Sequence, residues 1–142
     1  MELTALREAT EMIKTANGKL DLVAQFSKAV TVRIRGNVME LDGQIKIETS
    51  HVGNGASITT GKYTKMGSKM PDHCHGDIVE FLICSQGSFS IGFPFGYRIL
   101  KTGECASIPV NTEHSATALE DDSYLIAVCI PAEPTYSGLL RK

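Results

Sequence analysis

At Thr31 the spacing of apolar residues changes from a period near 3.6 to a period of 2, and the fold class follows from that change. Val32, Ile34, Val38, Leu41, Ile45 and Ile47 alternate with polar neighbours, as half-buried antiparallel strands require. Asp42-Gly43, between Val38-Met39-Glu40-Leu41 and Gln44-Ile45-Lys46-Ile47, predicts a two-residue hairpin turn, because both positions of the favoured turn need positive φ. Asn54-Gly55, Gln86-Gly87, Phe95-Gly96 and Asp121-Asp122-Ser123 punctuate further short strands. Many short strands with regular turns and no intervening helices predict a sandwich or barrel, not a parallel α/β sheet.

The first thirty residues differ. Leu3, Leu6, Met12 and Ile13 recur at helical spacing, Asn17-Gly18 supplies a helix stop, and Leu20, Val23, Ala24 and Phe26 anchor a second helix. Residues 1–30 therefore read as a helical extension and residues 31–142 as one β domain, which suits a chain of 142 residues.

Charge and composition exclude several partners. Fourteen Lys plus Arg against sixteen Asp plus Glu leave a net charge of -2, and there is no Trp, so neither phosphate neutralisation nor base stacking is provided for. No nucleic acid is expected. The charged start, Met1-Glu2-Leu3-Thr4-Ala5-Leu6-Arg7-Glu8, lacks the apolar core of a secretory signal, and no apolar run reaches bilayer length, so a cytoplasmic protein without membrane contact is expected. Cys74, Cys84, Cys105 and Cys129 form no C-x-x-C pair and lie in strand-like runs, where buried, reduced thiols are expected.

Chemistry concentrates in two segments. In Pro71-Asp72-His73-Cys74-His75-Gly76-Asp77-Ile78-Val79-Glu80, a strand would turn His73 and His75 to one face, Cα atoms about 6.5 Å apart, so that both imidazoles reach one ion while Cys74 points away. A turn at Gly76-Asp77 lets Ile78–Cys84 run back as a neighbouring strand with Glu80 inward, where a carboxylate amid apolar residues needs a partner charge. In the second segment, Gly103 to Ala118, a Pro109-to-Asn111 turn feeds a strand that opens at His114, with Ala116 and Ala118 on the same inward face leaving space beside the histidine. His51 has no partner at ligand spacing and is expected in solvent, as is the acidic trio Glu120-Asp121-Asp122. The strand Tyr124–Ile130 belongs to the core, either Tyr124, Ile126 and Val128 or their neighbours lining the interior.

Together these segments resemble the cupin superfamily. Gly67, His73, His75, Glu80 and Gly87 stand at the positions of its first motif, and Gly103, Pro109 and His114 at those of its second. Asn111 replaces a usual Gly, which the same left-handed turn tolerates, and Ala118 replaces a usual Asn. The resemblance implies an all-β double-stranded β-helix, a jelly-roll barrel of six to eight strands. It further implies a single divalent metal ion bound by His73, His75, Glu80 and His114. That ligand set suits Fe, Mn, Ni, Co or Zn.

An ion with one carboxylate ligand leaves a formal charge near +1, which favours small anions. The expected function is a metal-dependent cupin enzyme acting on a small, anionic organic molecule, dioxygenase-like or isomerase/lyase-like. The alternative is a non-catalytic cupin that binds or senses a small-molecule ligand. The apolar faces of the first thirty residues and exposed sheet edges lead to an expected homodimer.

Overall fold

The computed structural model describes residues 22–140. The first expected helix, with Leu3, Leu6, Met12 and Ile13, lies outside the described residues, and so does Leu20. What is described starts with helix α1 (Leu22–Phe26) and continues through β1 (Val32–Arg35), β2 (Val38–Leu41), β3 (Ile45–Gly53), β4 (Ala56–Tyr63) and β5 (Lys69–His73). Then come β6 (Val79–Gln86), β7 (Ser88–Phe93), β8 (Gly96–Lys101), β9 (Cys105–Ile108), β10 (His114–Ala118), β11 (Ser123–Ile130) and a closing helix α2 (Pro134–Leu140).

The strands form a seven-stranded sheet in the order β1-β2-β3-β4-β11-β6-β9 and a four-stranded sheet in the order β5-β10-β7-β8, all neighbours antiparallel. This is the expected double-stranded β-helix, with eleven strands where six to eight were expected. The β1-β2 hairpin supplies two of the additional strands by extending the larger sheet past β3. Both residues of the first turn take positive φ, Asp42 at 51° and Gly43 at 67°, and Gln44 N–H closes it on Leu41 O at 3.0 Å. Strand pairing resumes only at Ile45, opposite Leu41, so Gln44 joins the expected two-residue loop.

Alternation decides which side chains meet between the sheets. Ile45 and Ile47 of β3, Tyr63 of β4, Leu82 and Cys84 of β6, Phe89 and Ile91 of β7 and Leu125 of β11 are buried in one core. Tyr63 and Phe89 join the two sheets edge to face, ring centres 4.8 Å apart. In β11 it is the odd-numbered set that faces inward, with Leu125 and Cys129 buried and Tyr124, Ile126 and Val128 on the other face.

Both helices belong to this core. Leu22 and Phe26 are fully buried, and Phe26 alone contributes about 2–3 kcal/mol of apolar burial. Helix α2, which periodicity did not signal, buries Tyr136 and Leu139. Leu22 N–H donates to Thr135 Oγ1 at 3.3 Å, so the two helices touch. Cys84 and Cys129 are buried as expected and Cys74 is half-buried, but Cys105 is exposed: on edge strand β9 its side chain faces away from the barrel. No helix among the described residues is long and apolar enough to cross a membrane.

Candidate metal centre

Three strands from both sheets deliver the cluster. His73 ends β5 and sits directly opposite His114, the first residue of β10. Gly76, with φ of 69°, turns the chain as expected after His75. Expected as a neighbour of β5, the segment carrying Glu80 instead crosses to the facing sheet, where β6 pairs with β9 and β11. The carboxylate therefore meets the imidazoles across the barrel interior and not along one sheet. The two motif segments are tied by Asn111 N–H on Gly76 O at 2.7 Å, and Asn111 takes the expected left-handed conformation at φ 54°.

All four side chains are buried, and one ligand atom from each lies within 4.8 Å of the others. Glu80 Oε1 is 2.8 Å from His114 Nε2, and its Oε2 is 3.3 Å from His75 Nε2. Each imidazole is oriented from behind. His73 Nδ1–H donates to Pro71 O at 2.7 Å and His114 Nδ1–H to Thr112 O at 2.8 Å. His75 Nδ1–H donates to the buried carboxylate of Glu133, Oε2, at 2.9 Å. A carbonyl can only accept, so these bonds place a proton on Nδ1 of His73 and His114; Nε2 of His73 is left as an inward lone pair, while Nε2 of His114 is hydrogen-bonded to Glu80 Oε1. Metal-ligating histidines are held in this way.

The second support comes from α1. Gln25 clamps the peptide between the two histidines, accepting from Cys74 N–H and donating to Cys74 O, both at 2.8 Å. Phe26 packs edge-on to the His73 ring at 5.0 Å. Neither Gln25 nor Glu133 was foreseen. Nothing in the spacing of Pro131-Ala132-Glu133-Pro134 announces a carboxylate aimed at His75, 58 residues away in the chain.

Electrostatics follow from this packing. Burial and the neighbouring His114 and His75 hold His73 well below the usual imidazole range, so it is neutral. Burial also works against a charge on His75, but Glu80 beside it and the bond to Glu133 prevail and raise its pKa to about 10. For Glu80, burial opposes ionisation and His75 and His114 outweigh it, holding the carboxyl well below its ordinary range. In the protein alone, then, an imidazolium proton on His75 supplies the positive charge between two carboxylates.

The residues fit a divalent ion. Among the described residues His75 Nε2 is buried with no hydrogen-bond partner, its 3.3 Å contact with Glu80 being an ion pair only, and such a group is costly unless something occupies the space it faces. Donors about 2.1 Å from a common centre stand about 3–4 Å apart, close to the spread observed. His73, Glu80 and His114 line a cavity of about 20 Å³ together with Leu82, Ala116, Leu125, Ala127 and Tyr63. Ala116 and Ala118 face inward with His114 as expected. His51 is exposed and bonds only Gly53 O, and Glu120-Asp121-Asp122 form an exposed turn, both also as expected.

No family model and no curated protein matches the sequence. Solved structures do match the fold. KdgF from Halomonas sp. superposes with a TM-score of 0.61 at 23% identity, covering 66% of this chain and 84% of that one. An RmlC-like cupin from Shewanella frigidimarina gives 0.59 at 15% identity over 77% of this chain and 90% of its own. The cupin domain of Cnp3 from Schizosaccharomyces pombe gives 0.58 at 10% identity, covering 74% and 71%. The chain has the fold of the cupin superfamily.

Proposed function

We propose that this protein is a metal-dependent cupin enzyme that holds one divalent ion on His73, His75, Glu80 and His114 and acts on a small anionic organic molecule. One observation carries this reading: three buried imidazoles, each tied outward through Nδ1, turn toward one buried carboxylate and leave the Nε2 of His75 with no hydrogen-bond partner among the described residues. When bound, such an ion supplies Lewis acidity for isomerase or lyase chemistry, or a site for dioxygen if it is redox-active. The chain's own contribution is orientation and dryness. Pro71, Thr112 and Glu133 fix the rings, Gln25 and Phe26 hold the His73-to-His75 segment, and apolar walls keep the site at low dielectric.

A second reading, a non-catalytic cupin that retains a small ligand, is favoured by the size of the cavity. At about 20 Å³ it has room for one or two water-sized groups. Metal analysis of protein purified without chelator or histidine tag, followed by oxygen uptake and product assays with a panel of small carboxylates and thiols, separates the two. The enzyme reading expects about one divalent ion per chain with substrate-dependent turnover. An ion with saturable ligand binding and no turnover favours the second reading, and protein that takes up no divalent metal contradicts both.

A further inference from the structure

The cavity holds a polar group that the cluster does not use. Tyr63 is fully buried on β4, its hydroxyl has no hydrogen-bond partner among the described residues, and it lines the same cavity as His73, Glu80 and His114. The position of that ring is built into the strand. Tyr63 lies over Gly61, two residues earlier on the same inward face, where even a Cβ would stand 3.1 Å from Tyr63 Cε1. Phe89 packs edge-on at 4.8 Å from the opposite sheet and holds the ring down. A phenol that needed only apolar contact could be phenylalanine. Burying an unpaired hydroxyl costs about 1–3 kcal/mol, a penalty that a ligand accepting its proton would remove.

The rest of the wall is largely apolar, with Ile47, Met70, Leu82, Ala116 and Leu125 beside the hydroxyl-bearing Thr59 and Tyr136. A group filling this space meets residues of the histidine–glutamate cluster and the Tyr63 side chain in the same lining. We infer that Tyr63 is a ligand-binding residue, its hydroxyl donating a hydrogen bond to an oxygen of a small carboxylate whose size is limited by the cavity that Tyr63 shares with the cluster. This deepens the metal-dependent reading and rests on it. The chemistry is recognition only: the phenol keeps its proton and an anionic oxygen accepts the bond. At about 20 Å³ the cavity has room for one or two water-sized groups, so a formate-sized ligand is expected to bind and a branched acid is not.

The test compares the full chain with its Tyr63→Phe variant, which removes one oxygen and leaves the ring's packing intact. Cobalt(II) uptake by each is measured first by calorimetry. Formate, and separately isobutyrate, are then titrated into the cobalt-loaded proteins while the visible spectrum is followed. The expected result is equal cobalt affinity, formate binding weakened roughly tenfold or more in the variant, and no isobutyrate binding to either. Without metal, the variant should melt no lower than the parent, because the lost hydroxyl had no partner. Equal formate affinity in the two proteins, or a lower melting temperature of the metal-free variant, overturns the role of Tyr63 and leaves the metal centre standing. Isobutyrate binding as tight as formate overturns the size limit. Failure of the parent to take up cobalt overturns the metal-dependent reading and this inference with it.

Discussion

Glu133 accepts a hydrogen bond from Nδ1–H of His75 at 2.9 Å, with both side chains buried. The carboxylate is itself fixed, since its Oε1 accepts from Thr135 N–H at 3.1 Å and its own N–H donates to Ser57 Oγ at 3.1 Å. Outer partners of this kind orient ligating histidines and raise their basicity, and losing one typically costs about 10–100-fold in metal affinity. Glu133→Ala should weaken cobalt(II) binding by that order, and Glu133→Gln, which retains an accepting oxygen, by less. Competition titration against a coloured chelator measures both; equal affinities in parent and Glu133→Ala would show that the carboxylate has no such role.

The pH dependence of the metal-free protein follows from His75. Its pKa rises from an ordinary value of about 6.5 to about 10 because Glu80 and Glu133 outweigh the burial that opposes its charge. A group raised on folding contributes stability that is complete below its unfolded pKa and lost as pH climbs toward its folded one. The melting temperature of the metal-free protein should therefore fall between about pH 7 and pH 10. Glu80, depressed on folding mainly by His75, has the opposite sign, and its contribution disappears as pH drops through the carboxylate range. Coordination needs neutral imidazole, so metal binding at neutral pH should release about one proton and tighten as pH rises. Calorimetry in two buffers of different ionisation enthalpy counts that proton. A metal-free melting temperature that climbs from pH 7 to 10 would contradict the assignment.

Gly87 occupies a left-handed turn with φ of 75°, and a Cβ there would overlap the side chain of Ser123. Gly43, also left-handed at φ 67°, faces open space. Gly87→Ala should cost about 2–4 kcal/mol, adding overlap to strain, whereas Gly43→Ala should cost about 1 kcal/mol. Urea unfolding of the two variants ranks them, and equal midpoints would refute the close packing of the β6-β7 turn on Ser123.

The four thiols should react in order of their positions. Cys105 is exposed and Cys74 half-buried, while Cys84 and Cys129 are enclosed. Burial, and next the charge of Glu80, push the Cys129 thiol upward, and its Sγ stands 3.6 Å from Glu80 Oε2. A thiol reagent applied to native protein should label Cys105 first and Cys129 only on unfolding. Peptide mapping after timed labelling reads the sequence of events.

Period and turn chemistry carried the strands, because Val, Ile and Leu at every second position and the Asp42-Gly43 and Asn54-Gly55 pairs act over a few residues. The four clustered side chains were legible for the same reason: three of them fall within eight consecutive residues, and the fourth begins a strand after a marked turn. Which sheet received Glu80 was not legible, since the direction in which the Gly76 turn sends the chain is decided by the pairing of β6 with β9 and β11. Glu133, Gln25 and Tyr63 were invisible because their roles arise from long-range packing. Gln25 reaches Cys74 across 49 residues, and Tyr63 matters through an absent partner.

The most direct trial is a crystal of metal-loaded protein measured on both sides of the metal's absorption edge. A single anomalous peak about 2.0–2.3 Å from the Nε2 atoms of His73, His75 and His114 and from the carboxylate of Glu80 is the expected result. A peak elsewhere, or none inside the barrel while the four side chains keep their present positions, would contradict the account.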